Sequence, residues 1–216
     1  MPYPPGHRIE VRKKIVQSAR RLFNQHGFDN VSLKQIMAGA SLTHGGFYSY
    51  FKSKSELYVE VLSCFFTDPE WENRWEGVEV DLASGDVGPQ VVRAYLSRQH
   101  FEDVGNSCPM TALPTDVARS SRSTKRAFET VFQAMVGVLE RSMAAQCTPG
   151  RDAAQAIAAL CVGGMVVARA LADRAHADEL RDACMAVALE LGGWHEKRES
   201  KVKDVGPSQK ARVAAS

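Results

Sequence analysis

Long apolar runs are scarce in this 216-residue sequence. The longest, Ala153 to Ala168, is interrupted by Gln155 and closed by Arg151, Asp152 and Arg169. It falls short of the roughly 18 uninterrupted apolar residues that mark a membrane span, so it predicts a buried helix and no membrane partner. No signal peptide is expected either, because Met1-Pro-Tyr-Pro-Pro-Gly6 has no apolar core. Cysteine is sparse and odd in number: Cys64, Cys108, Cys147, Cys161 and Cys184 follow neither a disulfide framework nor a zinc-ligand spacing. That usage implies a reducing, cytoplasmic setting. Strand-like alternation is nearly absent, and no internal repeat is evident. The sequence also lacks a nucleophile elbow, a glycine-rich phosphate loop, an HExxH run and paired metal ligands, so no cofactor, metal or catalytic residue is expected.

What is present is a core-forming composition with an uneven charge. Apolar residues make up 44% of the chain, enough to fill one large domain or two small ones. The formal net charge is only +2, but residues 1–60 hold nine Lys or Arg against four acids, a net of +5. Residues 61–194 are acidic, at −6, and the last 22 residues return +3. A basic first third on an acidic body suggests a polyanion-binding module joined to something that does not bind polyanions. Charge alone fits a solvated helix face equally well.

Helical spacing runs through the chain. Val11, Ile15, Ala19, Leu22 and Phe23 define a first helix, with Gly27 as its stop. Ser32-Leu-Lys-Gln35 fits a capping box that opens a short helix burying Leu33 and Ile36. A turn at Ala40-Ser41-Leu42 leads to Thr43 as N-cap of a second short helix reaching about Phe51. Ser53-Lys-Ser-Glu56 repeats the capping pattern and starts a helix through Leu57, Val61 and Phe65, ended by Asp68-Pro69. Beyond this, helices are expected at about 89–103, around Leu113 and Val117, and at about 123–146, 151–175 and 177–192. The last two are separated by His176-Ala-Asp178. After Gly192-Gly193 the periodicity is lost, which predicts a mobile basic tail from about 195 to 216.

Two short capped helices joined by a three-residue turn form a helix-turn-helix, whose second helix enters the major groove of DNA. Here that helix would present Thr43, His44, Gly45, Gly46, Tyr48 and Ser49. Two adjacent glycines cost about 1 kcal/mol each in a helix relative to alanine. Close approach of the backbone to base edges or phosphates would explain why they are kept. Thr43 can offer its hydroxyl to a phosphate, His44 can donate to a guanine edge, and Tyr48 can reach the DNA backbone. Local capping or core packing explains each of these side chains, taken singly, as well.

The run Ala19-Arg-Arg-Leu22-Phe23, Gly27-Phe28, Val31-Ser32-Leu33, Ile36, Ala40 and Leu42-Thr-His-Gly-Gly-Phe-Tyr-Ser-Tyr-Phe-Lys-Ser-Lys-Ser-Glu-Leu-Tyr58 resembles the DNA-binding domain of the TetR/AcrR family of transcriptional regulators. The resemblance covers about fifty residues in order. It implies an all-α fold, with an N-terminal three-helix domain containing the helix-turn-helix and a larger C-terminal helical domain for ligand binding and dimerisation. The expected division is a flexible arm at 1–8, the DNA-binding domain at 9–52, the regulatory domain at 53–194 and the tail beyond. By the same analogy Ser32, Lys34, Tyr50, Lys52 and Lys54 grip phosphates. Thr43, His44, Gly45, Gly46, Tyr48 and Ser49 face the groove. Ser41 departs from the family, which usually has glycine in the turn; a left-handed residue there would cost about 1 kcal/mol.

The implied partners are a palindromic double-stranded operator, a second copy of the chain and a small-molecule inducer. Alanine and glycine from Ala153 to Ala172, and Ala183, Ala186 and Ala188, would let helices pair closely across a dimer or within the chain. Pocket candidates are Phe65, Trp71, Trp75, Tyr95, Phe101, Cys108, Met110, Phe128, Phe132, Met135 and Met165, although helical spacing makes most of them core. Cys108, just before Pro109 at the start of a short helix, is the candidate for a thiol switch. The remaining cysteines read as core. The competing functions are a DNA-binding scaffold that senses nothing, and a cysteine-dependent enzyme.

Overall fold

Val11, Ile15, Ala19 and Phe23 lie one turn apart and become a buried stripe on α1 (His7–His26). Gly27 ends that helix with its N–H on the Phe23 carbonyl and a φ of 77°, which glycine holds at little cost. The structure is a computed structural model describing residues 6–64, 78, 80, 81, 83–143 and 150–194. Phe65, Trp71, Trp75, Cys147 and the tail expected from residue 195 lie outside the described residues, as do positions 1–5.

The next helix, α2 (Leu33–Gly39), opens on the complete capping box. Ser32 Oγ accepts the Gln35 N–H at 3.2 Å, and Gln35 Oε1 accepts the Ser32 N–H at 2.8 Å. It closes on paired bonds from Leu42 N–H to the Met37 carbonyl (2.8 Å) and from Ser41 N–H to the Ala38 carbonyl (2.9 Å). This Schellman closure needs a left-handed residue at its centre, and Ser41 supplies it with φ 59°. Serine thus adopts the glycine conformation and bears the Cβ penalty.

The second motif helix is not α-helical. His44–Ser49 is a 3-10 helix, and the Thr43 side chain makes no capping bond. Six residues with two glycines provide little intrinsic helix stability, and the tighter winding suits so short a piece. Phe47, at its centre, is fully buried and stacks on Phe51 at 5.8 Å. Helix α3 (Lys54–Ser63) follows. Ser53 Oγ caps the Glu56 N–H as expected, but the Glu56 carboxylate turns back to the Lys52 N–H, one residue before the box position. Leu57, Tyr58, Val61 and Leu62 of α3 join α1, α2 and the 3-10 helix in one apolar core.

The body contains α4 (Val87–Tyr95), α5 (Arg98–Glu102), α6 (Pro109–Ala112), α7 (Pro114–Arg119), α8 (Arg122–Ser142), α9 (Gly150–Ala170) and α10 (Arg174–Leu191). The helix expected over 89–103 is broken because Ser97 caps a new start by accepting the His100 N–H. The single helix expected around Leu113 and Val117 is two, each opened by a proline at its first position. The break expected at His176-Ala-Asp178 falls earlier: Asp173 caps α10 by accepting the Ala175 and His176 N–H groups, so those three residues form its first turns.

By length and composition α9 is apolar enough to cross a membrane. It packs instead between α8 and α10, burying Ala154, Ile157, Ala158, Cys161, Gly164, Met165 and Ala168. A Cβ on Gly164 would come within 2.8 Å of Cys184 Sγ, so the α9–α10 approach requires its absence. The small residues thus divide by face. Ala154, Ala158, Gly164, Ala168 and Ala188 serve packing within the chain, while Ala156, Ala159, Gly163, Ala183 and Ala186 point outward.

Ser41→Gly should raise the unfolding free energy by about 1 kcal/mol, because glycine has no Cβ to strain at positive φ. Urea denaturation measures this; an unchanged midpoint would mean that serine meets no penalty in this turn.

Candidate nucleic-acid interface

The residues singled out in the helix-turn-helix come together from three adjacent pieces: the start of α2, the 3-10 helix and the segment leading to α3. Ser32, Lys34, Thr43, His44, Gly45, Tyr48, Ser49 and Lys52 are exposed, whereas Gly46 and Tyr50 are half-buried. Tyr48 is 65% exposed, and its ring meets the buried Phe47 edge-on at 5.3 Å. Tyr50 packs partly on the core beneath. The buried Phe47 and Phe51, four residues apart, anchor this short element, and His44, Tyr48 and Ser49 face solvent.

The paired glycines are required by nothing inside the chain. Neither has a left-handed backbone. A Cβ on Gly45 would meet no atom within 4 Å, and one on Gly46 would make ordinary contacts of 3.8 Å with Met37 and Thr43. Gly45 is exposed and Gly46 half-buried, and neither carries a side chain that would hold another molecule away from the main chain.

Lys54 is placed differently from Lys52. Its ammonium lies 4.3 Å from the Phe28 ring centroid, and burial lowers its pKa despite the opposing field of Asp29. Phe28 belongs to the joint with the body, where Asp116 of α7 accepts its N–H at 2.9 Å. Other contacts escaped sequence reasoning because their partners are far apart in the chain. Asn24, buried in α1, donates to the Gly105 and Ser107 carbonyls at 3.1 and 2.9 Å. Arg8 and Arg12 of α1 reach the carbonyls at the end of the 3-10 helix.

In the body, Tyr95, Cys108, Met110 and Met135 are core, with Phe128 and Phe132 packed against it and Met165 fully buried. Phe101 lies beneath the guanidinium groups of Arg174 and Arg181. Of the clefts among the described residues, one of about 180 Å³ lies at the joint, walled by Phe28, Asp29, Tyr58 and Asp116. Another, of about 500 Å³, is an apolar groove between α9 and α10. None of the pocket candidates lines either cleft.

Cys108 is 1% exposed. The helix it precedes is only four residues long, so the dipole expected to activate its thiol is weak. Its neighbourhood carries a charge of another kind. Arg169 of α9 donates to the carbonyls of His100 and Phe101 and to the hydroxyls of Ser107 and Thr111. Burial lowers its pKa to about 10, a shift opposed by the nearby Tyr95 phenol, Asp103 and Cys108. Burial and the adjoining Cys108 thiol in turn push the Tyr95 phenol well up. His100 Nε2 accepts the Cys108 N–H at 3.4 Å, and its Nδ1 lies 2.6 Å from the Tyr95 carbonyl.

A basic helix-turn-helix head on a helical body is the architecture of a bacterial DNA-binding regulator. Residues 15–61 match the sequence model of the family described as bacterial regulatory proteins, tetR family, so this segment is similar to the DNA-binding domain of TetR/AcrR-type transcriptional regulators. It is similar to the HTH-type transcriptional regulator AcrR of Shigella flexneri, 42% identical over 52 residues, which are 24% of each chain. Curated relatives match over 20 to 49% of their own length. Among solved structures, the reduced form of E. coli NemR superposes with a TM-score of 0.65 at 19% identity, covering 84% of this chain and 96% of that one. A SmeT–triclosan complex gives 0.54 at 18% identity, covering 84% and 90%. At such identities the likeness is one of fold.

Lys54→Ala should destabilise the protein by about 0.5–1 kcal/mol through loss of the ring contact. Lys52→Ala should change stability by less than about 0.5 kcal/mol. Thermal unfolding of both variants decides this, and equal melting temperatures would show that the Lys54 contact stabilises nothing.

Proposed function

We propose that this protein is a homodimeric transcriptional repressor that reads a palindromic operator with the 3-10 helix and is released by a small molecule bound in its body. The observation carrying the proposal is the Gly45-Gly46 pair, exposed at Gly45 and next in sequence to Phe47 and the exposed Tyr48, kept at a cost to helix stability that no contact inside the chain explains. Thr43, His44, Tyr48 and Ser49 face the groove, while Ser32, Lys34, Tyr50 and Lys52 hold phosphates. Lys54, turned onto Phe28, contributes less to phosphate binding than its charge suggests.

A single six-residue helix contacts too few bases for useful selectivity, and a second copy placed one helical turn away along the duplex remedies this. The pairing surface is the outward face of α9 and α10, where Val166, Val167, Leu171, Val187 and Leu191 are exposed beside the outward small residues. The SmeT–triclosan complex, of the same fold, supports an apolar inducer. Such an inducer would have to open space among the packed residues around Tyr95, Met110 and Met135. It acts only through its preference for the conformation that does not fit the operator.

The Cys108 surroundings favour a second mode of release. The Cys108 loop supplies the carbonyls that hold Asn24, so a group added to the buried thiol has no room and would displace that grip. Mass spectrometry after mild oxidant should show modification of Cys108 in step with operator release, and release that persists in Cys108→Ser would refute this mode.

Selection from a randomised duplex pool should yield a palindrome bound with strong salt dependence. Enrichment of no sequence would overturn the proposal. Gly45→Ala should raise stability by about 0.5–1 kcal/mol through helix propensity while weakening binding to the selected palindrome at least tenfold. Undiminished binding would remove the explanation for the paired glycines.

A further inference from the structure

The 3-10 helix is poorly equipped to hold its own orientation. Its N-cap side chain makes no bond, two of its six residues are glycines, and Phe47 is its buried anchor. At its C-terminal end the last carbonyls have no partner within the helix, as at any helix terminus. Two of those carbonyls, Ser49 and Tyr50, are taken up by arginines from α1, some forty residues earlier in the chain. Arg8 Nη2 donates to the Ser49 carbonyl at 2.9 Å, and Arg12 Nη1 donates to the Tyr50 carbonyl at 2.5 Å.

Arg12 is the more constrained of the two. Its Nε donates to Glu60 Oε1 at 2.9 Å and its Nη2 to Glu60 Oε2, a bidentate pairing with α3. Its guanidinium face lies 4.1 Å from the Phe51 ring centroid. One planar group thus joins α1, the end of the 3-10 helix, the buried Phe51 and α3. Glu60 neutralises the charge and three of the guanidinium donors are already engaged, so Arg12 is poorly disposed to grip a phosphate.

We infer that Arg12, oriented by Glu60, is a positioning residue for operator selectivity. It fixes the C-terminal carbonyls of the 3-10 helix, and with them the angle at which His44, Tyr48 and Ser49 meet the groove, without touching the duplex. This deepens the DNA-reading proposal and rests on it. The planar guanidinium grips the carboxylate bidentately while its third nitrogen donates to the carbonyl; a lysine retains the charge but not this fixed fork.

The test compares wild type with Arg12→Lys and Glu60→Gln in the full-length chain. In hydrogen exchange without DNA, the Tyr50 and Phe51 amides, both bonded to the Phe47 carbonyl, should exchange at least tenfold faster in Arg12→Lys. The α1 and α2 amides should stay within about twofold. Unchanged exchange at Tyr50 and Phe51, or acceleration throughout α1 and α2, would overturn the inference. With the palindrome selected by the wild type and a scrambled duplex as probes, both variants should lose at least tenfold in the ratio of the two affinities, with the salt slope unchanged. Equal weakening on both duplexes, with a slope smaller by about one, would make Arg12 a phosphate contact instead. If the wild type selects no palindrome, the DNA-reading proposal fails, and the exchange result still decides whether Arg12 fixes the helix.

Discussion

The polar joint between head and body is the constraint on which the rest of the structure depends. Asn24 is buried, and the two bonds from its Nδ2 to the Gly105 and Ser107 carbonyls satisfy an amide nitrogen that would otherwise be stranded away from water. The Phe28 N–H, at the exit of the same helix, is satisfied by Asp116. Each such bond contributes about 1 kcal/mol, and leaving one group unpaired costs about 1–3 kcal/mol. Apolar contacts slide, but these bonds are directional, so they fix the angle at which α1 and everything packed on it leaves the body. Gly27 lies at the centre of this joint: a Cβ there would stand 3.1 Å from Asp116 Oδ2.

The same loop is gripped from the other side by Arg169, whose donors reach His100, Phe101, Ser107 and Thr111. Ser107 is the shared residue, its hydroxyl on Arg169 and its carbonyl on Asn24. A displacement of α9 therefore has a short physical route to α1 through a single loop. In the proposed regulator, where α9 lies on the dimer face and beside the packed sensor residues, inducer binding and head angle draw on the same few bonds. Coupling between two sites is typically about 1–3 kcal/mol, comparable to the rupture of one or two of them.

How much of this the sequence makes legible follows the distance over which each interaction acts. The Ser32–Gln35 capping box, the Gly27 stop and the Ser53 cap are complete within four residues, so composition and spacing suffice for them. Asp173 and Ser97 are equally local, yet each sits inside an apolar periodic run that reads as unbroken, and the periodicity masks the cap. The site is legible where exposure follows from the motif, as at Thr43, His44 and Tyr48. It is not where the partner is remote: Lys54 looks like Lys52 until the fold brings Phe28 beneath it, and Arg12 looks like one more basic residue until Glu60 and Tyr50 arrive from 48 and 38 positions away. Periodicity also cannot separate the two roles of the small residues on α9, because a stripe that packs within the chain and one facing outward share the same composition.

Ser41, Gly45 and Gly46 show how such a head can combine a demanding turn with a weak reading helix. Serine at φ 59° and two glycines in a helix of six residues are each unfavourable locally, and together they cost about 2–3 kcal/mol. A free-standing helix-turn-helix of this size would tolerate that poorly, since small domains bury little surface. Here the apolar core of the head does not stop at α3. Leu113, Val117 and Ala127 from α6 to α8 of the body pack into it beside Phe23, Phe47 and Tyr58. The body thereby stabilises the head whose orientation it also sets, and this sharing permits a reading surface built for close approach to another molecule instead of for its own stability.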